Sequence, residues 1–163
     1  MRAIGFNHLS VGSKNLPASL RFYETVFGME RIPTYNFGFK TQYLRCGTLQ
    51  LHVFELEDHV PLYQHFALDV DDFHAVYEAA KKIGALDVTT FWNPINELPD
   101  GSVQMYLRDP GGNLVEVDWP DVKTLDRSRI PELRRLSEHA PQEGEALDAS
   151  LYLDRPQFQP SRS

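Results

Sequence analysis

The chain has 163 residues, 42% of them hydrophobic, enough for one domain with a sizeable core and ordinary for a folded globular protein. Its 23 acidic against 16 basic residues give a formal net charge of -7, which offers no general attraction to nucleic-acid phosphates or to an anionic membrane face. Cys46 is the single cysteine, which excludes an intramolecular disulfide framework, and no stretch approaches the roughly 20 apolar residues of a spanning helix, so a cytoplasmic protein is expected, with neither nucleic acid nor membrane as partner.

Phe6 to Val11 reads as a strand, followed by Gly12 and Ser13. Leu16, Leu20, Tyr23 and Phe27 then recur at helical spacing, with Asn15 or Ser13 as the cap, Pro17 in the first turn and Gly28 as the stop. Strand-like runs follow over Arg31 to Phe37, Thr41 to Cys46 and Leu49 to Phe54, so a first module of about residues 4–56 has the order β-α-β-β-β. His65 to Val70 is again strand-like; Asp71 or Asp72 can cap a helix with Phe73, Val76, Ala80 and Ile83 on its apolar face, and Gly84 ends it. Strand candidates at Asp87 to Phe91, Val103 to Arg108 and Leu114 to Trp119 complete a second module of about residues 62–120, the turn Asp109-Pro110-Gly111-Gly112-Asn113 joining the last two. From His8 and Gly28 to His65 and Gly84 the spacing drifts by a single residue, which marks an internal repeat. The expected fold is α+β, with two paired βαβββ modules forming a cleft in a domain of residues 1–120. Residues 121–163 read as a C-terminal extension that packs on the domain or on a second subunit, a homodimer being the expected assembly. Within it, Ile130, Leu133 and Leu136 suggest a short helix, and Ala149 to Leu153 a short strand or docking segment.

Strand parity selects the candidate site. With Leu9 and Val11 under the first helix, His8 faces the other way; the same alternation puts His65 with Ala67 and Asp69, and Glu116 with Leu114 and Asp118. Two imidazoles and a carboxylate on a common side suit iron, manganese, nickel, cobalt or zinc, with positions left open for a small-molecule substrate. Each residue alone reads as an ordinary polar group of a half-buried sheet; the matching repeat positions favour the metal. Tyr106 is a candidate proton donor, with packing as the competing reading. Gln50 and His52 are the first module's counterparts of the Glu116 region, as a fourth ligand or a substrate contact, in a strand whose register is weakly specified. His59, His74 and His139 read as surface or capping histidines, and Tyr43, Phe54, Phe91 and Trp92 as core or as the lining of an aromatic pocket. No nucleotide loop, paired-cysteine metal motif or strained-elbow serine is present.

Asn7-His8-Leu9-Ser10-Val11, the Phe22-Tyr23 to Phe27-Gly28 helix end, His65-Phe66-Ala67-Leu68-Asp69-Val70 and Leu107-Arg108-Asp109-Pro110-Gly111-Gly112-Asn113-Leu114-Val115-Glu116 together resemble the vicinal oxygen chelate superfamily. That superfamily takes in glyoxalase I, extradiol ring-cleavage dioxygenases, fosfomycin-modifying enzymes, methylmalonyl-CoA epimerase and metal-free bleomycin-binding proteins. The resemblance spans Phe6 to Pro120 and implies that His8, His65 and Glu116 match the metal positions. Glyoxalase-like members take a further ligand, usually glutamate, where Gln50 stands here. Extradiol enzymes use two histidines and a glutamate with iron(II); Tyr106 matches their tyrosine, and His52 is the best match for their acid–base histidine. The resemblance thus implies a metal-dependent enzyme on a small chelating substrate, ring cleavage favoured, with a glyoxalase-like isomerase or lyase and a metal-free binding or resistance protein as the alternatives.

Overall fold

A computed structural model describes residues 8–34, 40–56 and 65–152. By its internal contacts the chain divides into two compact units, residues 1–64 with 109–113, and residues 65–108 with 114–163. In the first, β1 (His8–Ser13), α1 (Leu16–Phe27), β2 (Glu30–Ile32), β3 (Thr41–Cys46) and β4 (Leu49–Glu55) follow the expected order, and the sheet runs β1-β4-β3-β2 with β1 and β4 parallel. The Asn15 side chain accepts from the Ala18 amide, Pro17 costs no helical hydrogen bond, and Gly28 takes the left-handed conformation at φ 62° that stops the helix. Val11, Ser13, Leu44, Leu51 and Val53 are buried, and α1 packs on β3 and β4. Leu9, expected beneath the helix, is 37% exposed. Phe6, Asn7, Phe37, His59 and the terminus from Leu153 lie outside the described residues.

Asp109 to Asn113 belongs to this first unit and anchors it. Asp109, 4% exposed, accepts from the Tyr23 hydroxyl at 2.9 Å and from the amide and side chain of Asn113 at 2.7 and 2.8 Å. Asn113 in turn donates to the Gly12 carbonyl at 2.6 Å, and a Cβ on Gly111 would stand 2.8 Å from that oxygen, so only glycine fits there.

The second unit repeats the pattern with β5 (His65–Asp69), α2 (Phe73–Lys82), β6 (Ile95–Glu97), β7 (Val103–Arg108), β8 (Leu114–Trp119) and an added strand, β9 (Leu133–Arg135). The sheet order is β5-β8-β7-β6-β9, with β5 and β8 parallel. Asp72 caps α2 through the Ala75 amide, and Phe73 meets Trp119 edge-on, on the face where Val115 and Val117 are fully buried.

Two sequence expectations fail here. Residues 87–91 form no strand: the buried Asp87 carboxylate accepts from the amides of Thr89 and Thr90 and from both hydroxyls, taking donors that a ladder would need, and only Leu86 bridges to Leu107. The second strand of this module is Ile95–Glu97 instead. The helix expected around Ile130 to Leu136 is a 3-10 turn at Arg127–Arg129, then β9 parallel to β6, then a second 3-10 turn at Leu136–Glu138. Pro131 disfavours helix at Ile130, and Leu133 gains more by pairing with Ile95 and covering the sheet edge. Ala149 to Tyr152 forms no strand.

The Asp87 cluster carries a pH prediction. Burial would raise the Asp87 pKa, but the hydrogen bonds from Thr90 and Thr89 outweigh it and bring it from 3.8 to about 2. Between those values the unfolded chain binds the extra proton, so stability rises with pH, is fully present above about 4 and is lost as pH falls through 2; the contribution is on the order of 2 kcal/mol. Urea titrations between pH 2 and 5 should show this acid limb shallower in Asp87→Asn.

Candidate metal centre

Parity and register put the second unit's polar residues on the sheet face opposite Val115 and Val117. Register pairs Ala67 with Glu116 and Asp69 with Asp118 across β5 and β8, and Tyr106 with Glu116 across β7 and β8. His65 Nε2 lies 3.1 Å from Glu116 Oε2, Gln104 donates to Glu116 Oε1 at 2.5 Å, and Tyr106 hydrogen-bonds to Glu116. The tyrosine therefore faces the candidate ligands. Glu116 is 3% exposed, whereas His65 remains open to a ligand with its side chain 37% exposed.

Aromatic groups flank this pair. The rings of Phe91 and Tyr106 are 4.6 Å apart, and each lies edge-on to His65 at 6.3 Å. The irregular segment 87–94 brings Phe91 here, tied down where Arg108 donates to Asp87 Oδ2 at 2.9 Å and to the Thr90 hydroxyl. Trp92 stacks on His139 instead, and His74 Nε2 accepts from the Asp126 amide.

In the first unit, His8 pairs in register with Gln50 and Ser10 with His52, so His8, Gln50 and His52 share a face. The His52 ring is stacked between His8 at 4.2 Å and Tyr43 at 3.5 Å, and its Nε2 lies 2.9 Å from Gln50 Oε1. Burial, and then His8, lower the His52 pKa, so this ring is held neutral near pH 7.

The donor set suits a divalent ion. His65 Nε2 and Glu116 Oε2, 3.1 Å apart, stand at the distance of an ordinary hydrogen bond, and two donors each about 2.1 Å from one ion and at a right angle would have nearly the same spacing, about 3.0 Å. Glu116 touches a second buried carboxylate, Asp118, whose pKa burial and then Glu116 push up to about 9, and Asp118 Oδ1 is buried without a hydrogen-bond partner. Two such carboxylates call for a proton or a cation. Among the described residues no three His, Cys, Asp or Glu side chains gather closely enough to hold a metal, so the pair observed together is His65 and Glu116. Gln104 and Asp118 were legible only as neighbours of Tyr106 and Glu116 in parity.

A family model described as the Glyoxalase/Bleomycin resistance protein/Dioxygenase superfamily matches residues 5–117. The chain belongs to this superfamily. A search of curated proteins found no match. Among solved structures, a putative glyoxalase family protein from Bacillus anthracis is 25% identical, with 72% of this chain and 98% of that one covered and a TM-score of 0.57. A lactoylglutathione lyase from Agrobacterium tumefaciens is also 25% identical, over 77% of this chain and all of that one (100%), with a TM-score of 0.53. The genomically encoded fosfomycin resistance protein FosX from Listeria monocytogenes, solved with Mn(II) and sulfate, is 18% identical over 75% and 97% of the two chains, with a TM-score of 0.55, a likeness of fold. Relatives of this superfamily thus fit the βαβββ modules, while the match ends at residue 117 and the chain continues. No helix among the described residues is long and apolar enough to cross a membrane.

Proposed function

We propose that this protein is a metal-dependent enzyme whose small oxygenated substrate chelates a divalent ion, iron(II) favoured, held by His8, His65 and Glu116. The observation that carries the reading is the His65–Glu116 contact on a buried, carboxylate-rich sheet face. The ion would supply Lewis acidity toward the substrate oxygens. Gln104 fixes one oxygen of Glu116, leaving the other toward His65. Tyr106, whose pKa burial and then Glu116 raise, stays protonated and can donate a hydrogen bond. Phe91, half-buried against the Tyr106 ring, gives the site an aromatic wall for a planar substrate. The favoured reaction is extradiol-type ring cleavage, with Tyr106 as donor and His52, neutral and able to accept a proton, as base; Gln50 orients His52 or adds a ligand. The working unit is proposed as a homodimer whose functional domain spans residues 1–120.

A glyoxalase-like isomerase or lyase is the second reading, favoured by the likeness to the Agrobacterium lactoylglutathione lyase along that protein's whole length. The test is metal analysis of protein purified without added metal, then iron(II) reconstitution and oxygen uptake with a panel of catechols. One ion per chain with catechol-dependent uptake is expected. Bound iron without uptake, but with solvent deuterium entering a chelating hydroxy-carbonyl compound, would favour the isomerase. No stoichiometric metal would leave a metal-free binding protein.

A further inference from the structure

Residues beyond the superfamily match return to the face that carries His65 and Glu116. The Tyr152 hydroxyl donates to Asp69 Oδ1 at 2.9 Å. Ser150 fixes the same segment from two sides, donating to Asp100 Oδ2 at 2.7 Å and accepting from the Tyr152 amide at 3.1 Å. Asp100 is itself set in the turn before β7, where it accepts from the amide and hydroxyl of Ser102 at 2.9 and 2.6 Å. The extension is therefore pinned at two separate places on the second unit.

Where Tyr152 lands matters. Asp69 has the parity of His65 and pairs in register with Asp118, which hydrogen-bonds to Glu116. At about 3.3 Å per residue, the Asp69–Asp118 rung lies only about 7 Å along the strands from the Glu116 rung. Among the described residues, Asp118 Oδ1 is the buried carboxylate oxygen on this face without a partner. We propose that the C-terminal extension is part of the site, and that Tyr152, held by Asp69, closes the far end of the ligand face and sets the length of ligand it accepts. Tyr152 acts by position and touches no reacting atom. Burial and Asp69 raise its pKa, so the hydroxyl remains a donor.

This inference rests on the proposed chelating function, and its test separates the two. Calorimetry would give dissociation constants for catechol and the bulkier tert-butylcatechol with the Zn(II)-loaded full chain, as wild type, Tyr152→Ala and Tyr152→Phe. In Tyr152→Ala the ratio of the two constants should move at least about tenfold toward the bulky ligand. Tyr152→Phe keeps the ring and loses the bond, and should move it about threefold; this milder variant decides the matter if alanine impairs folding. An unchanged ratio with metal and catechol binding intact would overturn the role of Tyr152 alone. A wild type that binds no zinc or no catechol would overturn the functional reading, and this inference with it.

Discussion

Replacing Glu116 by alanine is expected to abolish stoichiometric metal binding and to destabilise the metal-free protein by about 1–3 kcal/mol, because it takes the acceptor from the Gln104 amide and the buried Tyr106 hydroxyl. The carboxylate is 3% exposed, lies 3.1 Å from His65 Nε2 and takes the Gln104 amide at 2.5 Å, so its loss removes a donor that its neighbours hold in place. It also removes the hydrogen-bonded neighbour of Asp118, whose pKa is pushed up first by burial and then by Glu116. A merely structural carboxylate would show the same loss of stability with the metal content unchanged. Gln104→Ala should be milder, with metal affinity lower by about 10- to 100-fold. Metal analysis and calorimetric metal titration, run beside urea unfolding of the metal-free forms, check both. A Glu116→Ala protein that still holds one ion per chain would remove the basis of the centre.

Asp109→Ala is expected to destabilise the protein by roughly 3–5 kcal/mol, the largest stability effect anticipated away from the apolar core. The substitution strands the Tyr23 hydroxyl and two donors of Asn113 in a buried setting, and Asn113 is the group that ties the turn to the Gly12 carbonyl. Asp109→Asn keeps an acceptor oxygen and should cost less. Tyr23→Phe should cost about 1–2 kcal/mol, because one bond of the carboxylate is lost while Asn113 still satisfies it. Urea unfolding of the two single variants and of the double variant would show coupling of about 1 kcal/mol or more; additive effects would mean that the Tyr23–Asp109 bond contributes nothing.

How far the molecule could be read without coordinates depended on the range of the interaction concerned. Asn15, Asp72 and Gly28 act within their own helix ends, through a side chain and amides three residues away or a single positive φ, so the helices were legible to within a residue. The strand parity of β5 and β8 was legible for the same reason, and with it the common face of His65 and Glu116, whereas the register of β4 was weakly specified and the direction of the Tyr106 ring was decided only by its bond to Glu116. The segment 87–91 misled because Thr89, Thr90 and Phe91 have strand propensity, whereas Asp87 draws their polar groups to itself and Arg108, from another strand, locks the result. Leu133 misled because its spacing from Ile130 and Leu136 is helical, and a free edge at β6 competed for it.

Tyr152 lies in the segment read as a strand or docking segment, but the sequence did not name its partner. Nothing in its neighbours distinguishes it from an ordinary tail aromatic, and its partner Asp69 stands far away in sequence on the strand that begins with His65. What the amino-acid order determined by itself was therefore the repeat of modules, the helix ends and the alternation that sorts each strand's side chains into two faces, all properties of spacing along one segment. Only the tertiary structure decided which polar groups on a face touch, that Glu116 is shared by His65, Gln104, Tyr106 and Asp118, and that the extension returns to this sheet, because such contacts depend on register and on closure between segments that carry no local record of each other.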